Sequence, residues 1–247
     1  MKIILAPSKS QTLGCSLKGA GRPLLFEEKS LQLVDMLKMM DKEELGRLFK
    51  IKGKLLDDTY DLYHGYIGSD CNSFGINNVR YDPVKYYDGV VYEALGKRDF
   101  SLEERKYMEE HLVIMSAMFG VLEPGMGIWP YRLDFKTRPG GLNLYKYWQN
   151  EVLGYFSGVD VVVNLASEEF SSILKPMAGR LLNIHFLESD GRCLSYHVKK
   201  ARGVMAAEIV GLRLENVGDL RDLVVDGYMY DEKKSDESNY FYIRGGC

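Results

Sequence analysis

No apolar run in the chain approaches the roughly 18 residues that a helix needs to span a bilayer, which argues against a helical membrane protein. Excess charge is also missing: 32 Lys and Arg stand against 35 Asp and Glu, a formal net charge of −3. Nothing in that balance calls for an acidic partner, so recognition of a polyanion has to rest on local clustering. The N-terminus, MKIILAPSKS, holds one Lys and an apolar run too short for the core of a signal peptide, and a cytoplasmic location is expected. Cysteines are few and scattered: Cys15, Cys71, Cys193 and Cys247 form no CxxC pair, and the four histidines do not bracket them. No metal, cofactor or disulfide is expected, and the thiols read as free in a reducing compartment. No linker or internal repeat divides the 247 residues, so a single domain over 1–247, acting as a monomer without membrane contact, is the expectation.

What is present is the composition of an ordinary globular protein, 46% hydrophobic and 27% charged. The element pattern predicts a mixed α/β fold with a central mixed sheet and surrounding helices. Ile3-Ile4-Leu5 forms a short buried strand ended by Pro7, and residues 12–25 read as a loop. Leu31, Val34, Leu37 and Lys38 fit a helical period. Asp41 with Glu44 has the form of a capping box, as does Ser101 with Glu104, and each opens a helix. A further helix is expected from Lys54 to Tyr66, then a loop from Gly68 to Asn78. The aromatic patch Tyr86 to Tyr92 reads as core packing at a turn into a helix, and Leu144 to Trp148 begins another. The run VDVVVNL, residues 159–165, is continuous and β-branched, as in a strand buried on both faces. Two strands are expected around the Asp190-Gly191 turn, Leu181 to Glu188 and Cys193 to Val198. Two more are expected in the tail, near Tyr228 and over residues 240–244.

The stretch from Met115 to Arg138 is the most specialised. Met108, Leu112, Met115 and Phe119 recur at helical spacing, which predicts a helix stopped by Gly120 in a left-handed cap. Beyond the following turn, Trp129, Tyr131, Arg132, Lys136 and Arg138 interleave aromatics with cations, and Asp134 is the only acid among them. Such a mixture can hold a nucleic-acid backbone by pairing charge with phosphate while the aromatic faces offer stacking surface; a buried aromatic turn with local ion pairs is the competing reading.

Two further places carry potential chemistry. Ser8 and Lys9 follow the first strand at a sheet edge. Asn164 closes the β-branched strand, Ser167 is a natural N-cap, and Glu168 falls in the first turn of the helix it starts. Ligands of open α/β sheets bind at such strand ends. Lys199, Lys200 and Arg202 are read as crowding the first turn of a helix that starts near Ala201. Cations there oppose the helix dipole and invite a compensating anion.

Taken together, Ala6-Pro7-Ser8-Lys9, Asp88-Gly89-Val90-Val91-Tyr92, Gly120-Val121-Leu122 with Pro124, Pro130-Tyr131-Arg132-Leu133, Leu144-Tyr145 with Trp148, Asn164-Leu165-Ala166-Ser167 with Glu168, Lys200-Ala201-Arg202-Gly203 with Met205, and Gly227-Tyr228 resemble the YaaA family over nearly the whole chain. The resemblance implies a cytoplasmic bacterial protein linked to peroxide stress and to limitation of intracellular iron. It implies a single compact α/β domain with a helix–hairpin–helix-like element that binds DNA, duplex or distorted, and Gly120 is the natural position for that hairpin. Ala207 and Glu123 stand where the family pattern leads one to expect arginine, and both differences remove positive charge.

Two functions follow as expectations. In the first, the chain binds DNA through Gly120, Arg132, Lys136, Arg138, Lys146, Lys199, Lys200 and Arg202, with Tyr131 beside them. In the second, Ser8, Lys9, Asn164, Ser167, Glu168 and Arg202 gather at one sheet edge to bind a small anionic ligand. Glu168 is then the candidate for proton transfer, with Lys9 and Asn164 the other catalytic candidates. No nucleophile and base pair is visible in the sequence.

Overall fold

Lys2–Leu5 forms β1, and its three aliphatics Ile3, Ile4 and Leu5 are fully buried. A strand buried on both faces needs neighbours on both sides to satisfy its backbone, and the computed structural model, which describes residues 1–12, 16–17, 21–65 and 79–245, supplies them. On one side lies β4 (Leu112–Ser116), in parallel register with Ile3 opposite Leu112; on the other lies β6 (Val162–Asn164), also parallel, with Ile4 opposite Asn164. Beyond β6 come β7 (Leu181–Glu188), β9 (Asn239–Arg244) and the edge strand β8 (Tyr228–Tyr230). Beyond β4 comes β5 (Gly120–Leu122). Among the described residues these form one seven-stranded mixed sheet in the order β5-β4-β1-β6-β7-β9-β8, antiparallel only at its two edges. A separate pair, β2 (Ser10–Gln11) with β3 (Tyr87–Asp88), lies just past the end of β1.

The two helices with capping boxes begin where those boxes predict. Helix α1 (Glu27–Lys38) buries Leu33, Val34 and Leu37, and complete capping boxes open α2 (Lys42–Phe49) at Asp41 and α6 (Leu102–His111) at Ser101. Between them lie α3 (Lys54–His64), α4 (Pro83–Tyr86) and α5 (Val90–Lys97). Asn143 caps α7 (Leu144–Tyr155) with its side chain. The short α8 (Glu168–Ser171) and the long α9 (Ser195–Leu212) complete the set used below. No helix among the described residues is long and apolar enough to cross a membrane. The loops expected over 12–25 and 68–78 lie partly and wholly outside the described residues, as do Tyr66, Cys15, Cys71 and Cys247.

Three expectations are corrected. The helix expected to run on to Phe119 ends at His111, and Leu112–Ser116 is the buried strand β4. Five consecutive buried residues satisfy a helical period and a two-faced strand equally well, and pairing with β1 decides between them. Second, Gly120 does not cap a helix or sit between two of them: it opens β5 in a β-hairpin, paired with Ser116. The N–H groups of Met118 and Phe119 donate to Ser116 Oγ, both at 3.3 Å, and Trp148 Nε1 donates to the Ala117 carbonyl at 2.8 Å, which satisfies the buried turn. Third, Cys193 to Val198 is not the return strand of a hairpin: β7 pairs with β6 as far as Asn183 and with β9 from Asn183 to Glu188, and residues 193–198 join neither side. The chain turns at Asp190-Gly191 and enters α9.

Gly120 has φ of 71°, and a Cβ there would meet Trp148 Cε3 at 2.8 Å. Gly120→Ala therefore combines left-handed strain with overpacking and should cost about 2–4 kcal/mol, lowering the melting temperature by about 5–15 °C. Gly141→Ala, at φ of 82° with open space around it, carries the strain alone and should cost about 1–2 kcal/mol. Equal losses in the two variants, measured by urea and thermal unfolding, would show that the Trp148 contact contributes nothing.

Candidate functional site

From β1 the chain passes to β4 on one side, whereas from β6 it passes to β7 on the other, so a crevice opens between the carboxyl ends of β1 and β6. Ala6-Pro7-Ser8-Lys9 leaves β1 into this crevice, and Leu165-Ala166-Ser167 leaves β6. A cavity of about 420 Å³ sits there, bounded by Ser8, Lys9, Ser167, Glu169, Lys199 and Arg202, with Val90 and Val91 of α5 in its wall. A smaller adjoining space of about 60 Å³ shares Ser8, Lys9 and Glu169 and adds Tyr131, Arg132 and Asp134. The two together make one cleft with Arg132 at one end and Arg202 at the other.

Each wall is held by polar contacts. Ser8 Oγ donates to the Asp88 carbonyl and accepts from Ser10 N–H at 3.2 Å, which ties the β1 exit to the entry of α5. Tyr92 donates to the Ala6 carbonyl at 2.7 Å. Tyr131, whose hydroxyl meets Tyr87 at 2.7 Å and Ser116 at 3.0 Å, fastens the aromatic loop to β4. Burial holds the phenols of Tyr87 and Tyr92 well above their ordinary values and pushes Tyr131 up to about 12, so all three remain neutral near pH 7.

The cations differ in kind. Lys9 is exposed and its Nζ lies 2.7 Å from Asp134, a weak surface pair that a ligand can displace. Lys199 is exposed. Arg202 is set deep. Its Nε is buried without a hydrogen-bond partner, and burial pushes the guanidinium below its usual value, with no carboxylate among the groups acting on it. Its depth follows from the next residue: a Cβ at Gly203 would lie 2.0 Å from the Val91 carbonyl oxygen, so glycine alone allows α9 to pack directly on α5.

The structure thus brings together Ser8, Lys9, Tyr131, Arg132, Ser167, Lys199 and Arg202 of the expected residues. Lys136 joins at the edge, its Nζ 4.0 Å from Glu169. Arg138 and Lys146 are exposed and line neither space, and Lys200 is drawn away to Asp226 at 2.6 Å. Gly120 is buried under Trp148. Asn164 is committed to structure: its amide donates to Asn183 at 2.9 Å and its carbonyl accepts from Ala166 N–H at 3.0 Å. Glu168 is exposed and faces a different hollow, while Glu169, which the sequence reading passed over, lines the cleft. Adjacent residues of a helix point about 100° apart, so only one of the two acids could face inward, and the pair Glu-Glu gives no sign of which. Ser167 holds the N-cap position of α8 without capping through its side chain.

Two local readings change with the geometry. Trp129 and Tyr131 are 0% and 4% exposed, so their faces form core rather than stacking surface. Because α9 starts at Ser195, Lys199, Lys200 and Arg202 fall in its second turn, where the helix dipole costs them little. The two uncharged or acidic departures also find roles. Glu123 pairs with Arg22 at 2.6 Å and accepts from Tyr155 at 2.6 Å, and Ala207 is buried with its carbonyl accepting from Arg98.

Tyr131→Phe should lower stability by about 1–3 kcal/mol, because it strips a partner from Ser116 and Tyr87 in the core, and should leave affinity for polyanions unchanged. Chemical unfolding alongside a binding titration checks this; unchanged stability with reduced affinity would return Tyr131 to ligand contact.

Comparison with known proteins agrees with this frame. A family model described as peroxide stress protein YaaA matches residues 1–234. The chain is 31% identical over 252 residues to a UPF0246 protein of Finegoldia magna, covering 99% of this chain and 98% of the relative. It is 30% identical over 259 residues to a UPF0246 protein of Francisella tularensis, covering 99% of this chain and all of the relative. Matches at these lengths leave no part of the fold outside the comparison, and the chain belongs to the YaaA family of peroxide stress proteins.

Proposed function

We propose that this protein acts in peroxide defence by binding the phosphate backbone of DNA along the cleft, limiting the oxidative damage linked to intracellular iron. The observation that carries the reading is convergence. Lys9 from the end of β1, Arg132 from the aromatic loop, and Lys199 and Arg202 from α9 meet in one cleft of a chain whose formal net charge is −3. Asp134 and Glu169 line the same cleft and Asp134 pairs with Lys9, so a polyanion binds by displacing that surface pair and releasing its own counterions. With Trp129 and Tyr131 buried, contacts from the aromatic loop are electrostatic, so binding is tolerant of base sequence and sensitive to salt.

A second reading is favoured by one observation, the orphaned Nε of Arg202. A surface arginine that touches a duplex backbone keeps its nitrogens wet. A buried one suits a small enclosed anion, held with help from Lys9 and Ser167. The two readings assign different parts of the cleft and are compatible.

Under the first, Arg132→Ala should weaken duplex binding about equally across sequences and reduce the slope of log affinity against log salt by about one unit, with Arg132→Lys mild. Fluorescence anisotropy over a salt series measures both, and absence of binding to duplex or distorted DNA even at low salt would sink the DNA reading. Under the second, Arg202→Lys should impair peroxide survival nearly as much as Arg202→Ala, since an ammonium cannot reproduce the planar fork. Complementation with thermal melting as a control for folding checks it, and equal mildness of Arg132→Lys and Arg202→Lys would remove the enclosed site.

A further inference from the structure

His197 lines neither space of the cleft, and its place is set by strand register. Glu188 ends β7 and Arg244 ends β9, and the two are partners at the last position of that parallel pair. A carboxylate and a guanidinium are thereby set side by side at one end of the sheet. Helix α9 starts at Ser195, and its third residue, His197, meets both of them. His197 Nδ1 lies 3.1 Å from Glu188 Oε1 and 3.1 Å from Arg244 Nη1.

One ring nitrogen cannot serve both partners at once. A carboxylate only accepts and so needs a proton on Nδ1, whereas a guanidinium only donates and so needs the Nδ1 lone pair. The two contacts exclude each other, and the proton on Nδ1 selects between them. In the neutral ring the surrounding hydrogen bonds favour Arg244. Glu188 Oε1 also accepts from the Tyr228 hydroxyl at 2.7 Å, so it keeps a partner without the imidazole. Arg244 donates through Nη2 to Asp226 at 2.9 Å, but its buried Nε has no partner among the described residues. Loss of His197 would leave a second donor of the same guanidinium unmet, and an unmet donor costs more than a second bond to Glu188 gains.

Protonation reverses the choice. Nδ1 then donates a charge-assisted bond to Glu188 and turns an N–H toward Arg244, cation against cation. Arg244 still has Asp226 and the face of Tyr228, whose ring centre is 4.2 Å from its Cζ. The other charged groups nearby are engaged elsewhere: Lys200 with Asp226 at 2.6 Å, and Asp190 with Arg192 at 2.5 Å. Tyr196 presents its edge to the imidazole at 5.9 Å. The Tyr228 hydrogen bond, aided by His197 and Arg244, holds the Glu188 carboxyl below its usual value, so Glu188 stays ionised across pH 5–8, where imidazoles change charge. The His197 side chain is 37% exposed, which gives solvent protons access to it.

We infer that His197 is a proton-operated switch at the start of α9: neutral, it ties the first turn of the helix to Arg244 of β9; protonated, it ties that turn to Glu188 of β7. The helix that carries Lys199 and Arg202 to the cleft thus changes its anchor between neighbouring strands as pH changes. The contact of Gly203 with Val91 lies beyond this turn and takes no part in the exchange.

The primary test is nitrogen-15 NMR of the unmodified chain between about pH 8 and about pH 5.5, a span that covers ordinary imidazole titration. At the upper end the ring should carry its proton on Nε2 with Nδ1 bare. At the lower end Nδ1 should be protonated, and the Arg244 side-chain resonances should move with the same midpoint. A neutral ring protonated on Nδ1, a ring that stays neutral throughout, or an Arg244 indifferent to the titration each overturns the inference. Double-mutant cycles in urea unfolding give a second measure, pairing His197→Ala with Arg244→Ala and with Glu188→Ala. The His197–Arg244 pair should couple by about 2- to 12-fold in the unfolding equilibrium constant at the upper pH and lose that coupling at the lower, the range for one net hydrogen bond. The His197–Glu188 pair should do the reverse. Coupling to Glu188 of equal size at both pH values, or to neither partner at either, also overturns the switch. If a variant fails to fold, the spectra of the unmodified chain decide alone.

Discussion

Parallel hydrogen bonding of β1 to β4 on one side and β6 on the other fixes the position of every wall of the cleft. The strand is only four residues long, yet Ile3, Ile4 and Leu5 are fully buried, which at about 1.5–3 kcal/mol per side chain is a large local contribution for so short a segment. Its register with β6 sets Leu5 level with the residues just beyond Asn164, and Leu165 N–H donates to the Ile4 carbonyl at 3.0 Å. The exits of both strands are thereby brought to one height at the point where the connections diverge. Ser8, Lys9 and Ser167 meet because of this pairing, although more than 150 residues of sequence separate Lys9 from Ser167.

A second layer of constraint comes from α9. Its close contact with α5 at Gly203 leaves no freedom in depth, and Arg202 is carried beneath the surface by the same approach. Burying a guanidinium without a carboxylate is unfavourable, and the depressed pKa of Arg202 expresses that cost. The tyrosines around the cleft make the opposite choice: Tyr87, Tyr92 and Tyr131 are buried with their hydroxyls satisfied, so they stiffen the frame and stay uncharged. The cleft therefore sets bonded, neutral tyrosines around an arginine whose buried Nε has no hydrogen-bond partner.

Legibility from the sequence varied with the range of the deciding interaction. Capping boxes at Asp41 and Ser101 and the Asn164-to-Ser167 strand exit depend on neighbours within a few positions and appear in the structure, while of the strand expected over 159–165 only Val162–Asn164 is strand. Leu112–Ser116 and Cys193–Val198 were misjudged because both segments have local patterns compatible with two states. Pairing with β1 made the first a strand, and the second enters α9 at Ser195 without pairing with β7. Among the expected residues that line the cleft, Ser8, Lys9 and Ser167 follow strand ends, whereas Arg202 was singled out by a first-turn position that it does not hold. Glu169 was not, since the choice between it and Glu168 depends on the rotation of a four-residue helix.

By itself, then, the sequence determined a mixed α/β chain, the starts of the helices opened by capping boxes at Asp41 and Ser101, its family, and a set of cations without a global charge to explain them, because these are properties of composition and of short-range chemistry. Tertiary structure alone decided that Trp129 and Tyr131 are core, that Asn164 is spent on Asn183, that Lys200 belongs to Asp226, and that Arg132, Lys9, Lys199 and Arg202 share one cleft. The reason is physical: a side chain's role depends on which backbone exits its neighbours' strands beside it, and strand order is set by burial and hydrogen bonding between segments that no local pattern connects.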